Sequence, residues 1–122
     1  KQKSIARDIT ELVNEAAARG KIAIWGASHQ GFSIAASLGL GDKICYIIDS
    51  APFKQGHIAP ASQIPIVSPE TALRDPAGSI LIVAPGYTEE VAARIRENSP
   101  AGTEIWTLRS DRPERLTDRR DA

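Results

Sequence analysis

The sequence predicts a three-layer α/β domain around a parallel sheet of about five strands. Three observations predict it. Short apolar runs alternate with segments of helical period along most of the chain. The first of these runs ends in a glycine turn, Trp25-Gly26-Ala27-Ser28-His29-Gln30-Gly31, that leads into a helical segment. The apolar runs also lack an in-out alternation, as expected of strands covered by helices on both faces.

Each element has its own signal. Ile5, Ile9, Leu12, Val13 and Ala16 recur at helical spacing and predict an amphipathic helix over 4–19, stopped by Gly20. Residues 21–25 form the first strand, and the small residues of 31–38 a closely packed helix. Residues 43–48 are the second strand, ending at Asp49. The stretch 50–63 carries Pro52, Gly56 and Pro60 with no period, and loops of that length are often functional. A short strand over 64–67 precedes Ser68-Pro69-Glu70, which has the cap, proline and acid of a helix start. That helix ends by Asp75-Pro76. The strand over 79–84 is the most apolar. Thr88 is placed to cap a helix over 89–98, with Val91, Ala92 and Ile95 facing inward. A last strand spans 103–108.

Two domains of behaviour follow: a folded unit over 1–108 and a charged tail over 109–122. The tail has five Arg against four acids and no apolar period, so it is expected to be disordered. The alternation implies right-handed crossovers and strand order 3-2-1-4-5, a Rossmann-like half. Ligands in such sheets sit beyond the carboxyl ends of the strands, where the order reverses.

Composition narrows the function. The 122 residues are 42% hydrophobic and 25% charged, with a formal net charge of zero. That gives no electrostatic reason to expect nucleic acid or an anionic membrane as partner. No apolar run approaches the roughly 20 residues of a membrane span. Cys45 stands alone in an apolar run and reads as a core residue in a reducing, cytoplasmic setting. Two distant histidines, His29 and His57, with that cysteine do not make a metal site. The first residue is Lys1, as for a domain cut from a longer chain.

The residues that can carry chemistry gather around the turn. Gly26 permits the tight turn, and Gly31 permits close packing of helix on strand. The amides opening the helix can hold an anion. Ser28 stands where the dinucleotide fingerprint has the glycine that lets a pyrophosphate approach. His29 and Gln30 are exposed hydrogen-bonding groups, and no partner makes His29 a general base. Asp49 has two readings, an acceptor for ribose hydroxyls or a cap of the next turn. Lys54 neutralises a phosphate or is simply solvated, and Tyr87 stacks on a ligand or packs. No catalytic set is present, nor a motif for S-adenosylmethionine.

Three segments carry a family likeness: 25–31, the run Asp49-Ser-Ala-Pro-Phe-Lys54-Gln55-Gly56, and Ile64-Pro65-Ile-Val-Ser68-Pro69-Glu70. With them the chain resembles the C-terminal domain of S-adenosylmethionine-dependent sugar C-methyltransferases, which act on nucleotide-linked deoxysugars. The resemblance implies a Rossmann-like domain that follows a zinc-binding domain and a methyltransferase domain. It implies that the domain helps bind a nucleotide-sugar-like substrate, while the methyl donor and catalysis belong to the methyltransferase domain of the same parent chain. By position, Gly26, Ala27, Ser28, His29, Gln30, Gly31, Asp49, Lys54 and Gln55 become substrate contacts, with Tyr87 added from the loop reading. The family often has Pro and Lys where this chain has Ser28 and Gln30, so one positive charge is missing from the turn. Two other classes stay open: an NAD(P)-binding half of an oxidoreductase, and a non-enzymatic scaffold or regulatory domain.

Overall fold

The computed structural model describes residues 2–108 and 112–116. In chain order the elements are α1 (Gln2–Arg19), β1 (Ile22–Trp25), α2 (His29–Ser37), β2 (Ile44–Ile48) and β3 (Ile66–Val67). Then come α3 (Pro69–Arg74), β4 (Ser79–Ile82), α4 (Thr88–Asn98), β5 (Glu104–Leu108) and β6 (Pro113–Leu116). The sheet order is β3-β2-β1-β4-β5-β6. The first five strands are parallel and carry the expected 3-2-1-4-5 order; β6 adds to β5 antiparallel. The fold is Rossmann-like.

Side-chain alternation along the strands divides the core between two faces. Ile22, Ile24, Leu81 and Val83 point to one face, where α1 brings Ile9, Leu12 and Val13 and α2 brings Ala35. Ala23, Trp25, Ile80 and Ile82 point to the other, under Ala72 of α3 and Ala92 and Ile95 of α4. Each fully buried isoleucine contributes about 1.5–3 kcal/mol. β1 and β4 are buried along their whole length, which is why they show no alternation in sequence. No helix among the described residues is long and apolar enough to cross a membrane.

Four expectations need correction. The segment expected to be a disordered tail contains β6, whose register pairs Ile105 with Leu116 and Leu108 with Pro113. Backbone pairing to β5 and the packing of Leu116 on the second core cluster hold it there. A four-residue edge strand with two charges shows no pattern in sequence. The rest of that segment, 109–111 and 117–122, lies outside the described residues. α2 begins at His29 rather than Gly31, because Ser28 caps it and its Oγ accepts from the Gly31 amide at 3.1 Å. Thr88 is the first residue of α4 rather than its cap; Tyr87 holds the cap position without a side-chain bond. Cys45 is half-buried rather than core, and burial pushes its thiol pKa up.

The glycine turn fits the sheet closely. Gly26 has φ +130°, and a Cβ on it would collide with the carbonyl oxygen of Val83. A Cβ on Gly31 would collide with the carbonyl oxygen of Gly26. Both obstacles are backbone and cannot swing aside. Gly31→Ala is therefore expected to lower stability by roughly 1–3 kcal/mol, read as a lower thermal midpoint. Gly39→Ala serves as the control for conformation alone, since Gly39 (φ +64°) has open space around it.

Candidate functional site

The parallel register brings the carboxyl ends of the central strands to one edge. Trp25 pairs with Ile48 on one side and Ile82 on the other, and Ile82 pairs with Thr107. The turn after β1, the loop after β2 and the segment after β4 all leave from that edge.

On the β2 side the turn is locked. The Gly26 amide donates to the Ile48 carbonyl at 2.8 Å. The Ala27 amide donates to Asp49 Oδ2 at 2.8 Å, and the Ala51 amide to Asp49 Oδ1 at 2.8 Å. Lys54 Nζ donates to the Ala27 carbonyl at 2.9 Å and stands 3.9 Å from Asp49 Oδ2. Gln55 Nε2 donates to the Asp49 carbonyl at 2.8 Å. The loop after β2 thus crosses back over the turn and is fastened to it from both directions. The capping reading of Asp49 describes its bonds here. Lys54 is half-buried rather than freely solvated, with its ammonium 5.7 Å from the Phe53 ring centroid.

The other side of the turn is open. His29 and Gln30 are exposed and form the first turn of α2, where no acid opposes an anion. Their amides meet no acceptor among the described residues, while Gly31 is satisfied by Ser28. The amino end of α4 differs, since Glu89 and Glu90 sit in its first turn. Between the two helix ends lies a cleft of about 240 Å³, bordered by Gln30, Pro85, Thr88 and Thr107. Tyr87 is 64% exposed next to it in sequence and is not part of its wall. Thr88 and Thr107 carried no site signal in sequence, because only the packing of α4 and the β4–β5 register set them beside Gln30.

A second hollow, of about 230 Å³, lies away from this edge between α3 and α4. The six residues of α3 are too few to cover the sheet, so Trp25, Tyr46 and Ile80 floor a groove. The Arg94 guanidinium lies over Trp25, 5.7 Å from its centroid. Tyr46 Oη donates to the Asp75 carbonyl at 2.8 Å, and burial pushes its pKa up to about 12.

The family described as the C-methyltransferase C-terminal domain matches residues 1–108. The chain belongs to that family. A curated relative, the C-methyltransferase NovU of Streptomyces niveus, is 37% identical over 95 residues, 76% of this chain. This C-methyltransferase C-terminal domain spans 23% of that relative's length. Among solved structures, UDP-D-quinovosamine 4-dehydrogenase from Vibrio fischeri aligns with a TM-score of 0.59 at 15% identity. The alignment covers 80% of this chain and 93% of that one, and it speaks for the fold alone.

The lock on the β2 side has a measurable strength. Asp49→Ala removes a carboxylate that accepts from two amides and takes away the charge 3.9 Å from Lys54 Nζ. Hydrogen bonds to charged groups contribute about 1.5–3 kcal/mol each in favourable cases, so a loss of about 2–4 kcal/mol is expected in urea denaturation. Lys54→Met should cost less, since it frees one carbonyl at a half-exposed position.

Proposed function

We propose that this C-methyltransferase C-terminal domain holds the phosphate-bearing part of a nucleotide-sugar-like substrate at the amino end of α2. The methyl donor S-adenosylmethionine and the groups that move the methyl lie in a methyltransferase domain of the parent chain, which is the domain's partner. This chain contributes positioning: it fixes the substrate's phosphate, and with it the reach of the sugar.

The observation that carries this reading is the pair of free amides at His29 and Gln30 on a helix end with no acid in its first turn. Backbone amides and the helix dipole there favour an anion. The glycines bring those amides to the strand edge, and the bond from Ser28 to Gly31 sets the direction of the first turn. Asp49, Lys54 and Gln55 support the same site from behind by holding Ala27 and the loop. The relative NovU is a C-methyltransferase by name, which favours a methyl-transfer setting over a redox one.

An NAD(P)-binding half fits less well. Its ribose acceptor would be Asp49, whose two carboxylate oxygens each already accept from an amide. Its pyrophosphate would meet Ser28 where the fingerprint needs bare backbone. A scaffold without ligand gives no reason for an open cleft beside an unopposed helix end.

Titration of the nitrogen-15-labelled chain with thymidine diphosphate tests the proposal by NMR. The amides of residues 26–31 and of Lys54 are expected to move and saturate. If neither segment shifts at millimolar nucleotide, the substrate-binding reading fails.

A further inference from the structure

The hollow between α3 and α4 is separate from the glycine turn, and phosphate binding makes no use of it. It exists because α3 is short. Six residues leave part of the sheet bare, and Pro69 and Pro76 stiffen the wall on that side. The floor is Trp25, Tyr46, Ile48 and Ile80, none more than 8% exposed. The Tyr46 hydroxyl donates to the Asp75 carbonyl at 2.8 Å, so its ring is what remains for an occupant. The volume of about 230 Å³ lies between two marks. An apolar cavity of roughly 150 Å³ takes benzene, and drug-sized ligands begin at roughly 300 Å³. One substituted ring fits.

The charge at the rim chooses among rings. Arg94 of α4 holds its guanidinium 5.7 Å from the Trp25 centroid, so the aromatic floor already has its cation. An ammonium-bearing ligand would meet that charge as a repulsion. The carboxylate facing Arg94 is Glu70 of α3, with Oε2 at 3.9 Å from the guanidinium nitrogen, beyond hydrogen-bond distance. The two side chains are 44% and 71% exposed. An ion pair so open and so loose contributes little to the fold. A carboxylate brought by a ligand can therefore take the place of Glu70 at small cost and form the closer, charge-assisted bond that Arg94 lacks there. Flat rings gain more than aliphatic ones against Trp25 and Tyr46, through edge and face contacts.

We propose that this groove is a second small-molecule site, which takes a monocyclic aromatic carboxylate with its ring on the Trp25–Tyr46–Ile80 floor and its acid on Arg94. The proposal is independent of the phosphate site. None of residues 26–31 lines the groove, and the two sites are read by different signals.

Benzoate, its neutral analogue benzamide, and acetate test the site in parallel NMR titrations of the nitrogen-15-labelled 122-residue chain. Benzoate is expected to move the Trp25 indole signal and the amides of Leu73 and Arg94, and to saturate. Benzamide should move the same signals but bind roughly tenfold more weakly, as expected for loss of one charge-assisted bond. Acetate should move none of them. Arg94→Gln should weaken benzoate to the level of benzamide and leave benzamide unchanged. Glu70→Gln removes the competing acid and should tighten benzoate by roughly two- to threefold, again without effect on benzamide. Both positions are solvent-exposed, so both variants are expected to melt close to the wild type. If Arg94→Gln melts clearly lower, Glu70→Gln gives the reading by itself, and unchanged benzoate binding there overturns the proposal. Equal binding of benzoate and benzamide would overturn the choice of an acid. Acetate binding as well as benzoate would leave an adventitious ion only. Absence of all three shifts, or a concentration-dependent dimer that buries the same signals, would also overturn it, the dimer by assigning the groove to a second copy of the chain.

Discussion

The carboxylate of Asp49 ties the loop after β2 to the turn after β1, and the shape of the whole carboxyl edge follows from that tie. One oxygen holds the Ala27 amide and the other holds the Ala51 amide, each at 2.8 Å. Lys54 completes the circuit on the Ala27 carbonyl. Charge-assisted bonds of this kind are among the stronger ones in proteins, and three backbone groups depend on one side chain and its lysine. The turn is thereby fixed in space, and the ligand site proposed at the α2 amides would be built on fixed donors. Fixed donors need not be ordered during binding, which lowers the entropic cost of association.

The same tie makes the edge asymmetric. A Rossmann-like sheet offers two flanks beside its first turn, and here the β2 flank is filled by the loop that Asp49 and Gln55 hold down. The β4–β5 flank keeps an open hollow. Glycine makes the arrangement possible, because a side chain at Gly26 or Gly31 would push the turn off the sheet against fixed carbonyls.

The architecture was legible in the sequence because it is written in periodicity. Fully apolar runs at 22–25 and 80–84 read as strands covered on both sides, and their alternation with helices leaves few topologies. Ser68-Pro69-Glu70 was readable for the same reason, since the cap, φ and dipole preferences are local; Ser68 does cap α3, accepting from Thr71 at 3.0 Å. Ser28 shows the limit. Set against the dinucleotide fingerprint it reads as a missing glycine, whereas its bond to Gly31 makes it a helix cap. The bond Lys54 makes was not legible either, because its acceptor is a backbone carbonyl 27 positions away in sequence and carbonyls leave no mark on the residue string. Thr107 and the cleft were invisible for a related reason: strand register, not residue type, brings them to Gln30. β6 was missed because edge pairing to β5 supplies its stability, with little help from an apolar pattern.

Calorimetric titration of the chain with NAD and, in parallel, with a nucleotide sugar such as UDP-glucose tests the asymmetry most directly. The open β4–β5 flank and the closed β2 flank lead us to expect measurable binding of the nucleotide sugar and none of NAD in the micromolar range. A micromolar dissociation constant for NAD, with no heat from the nucleotide sugar, would contradict the site as described.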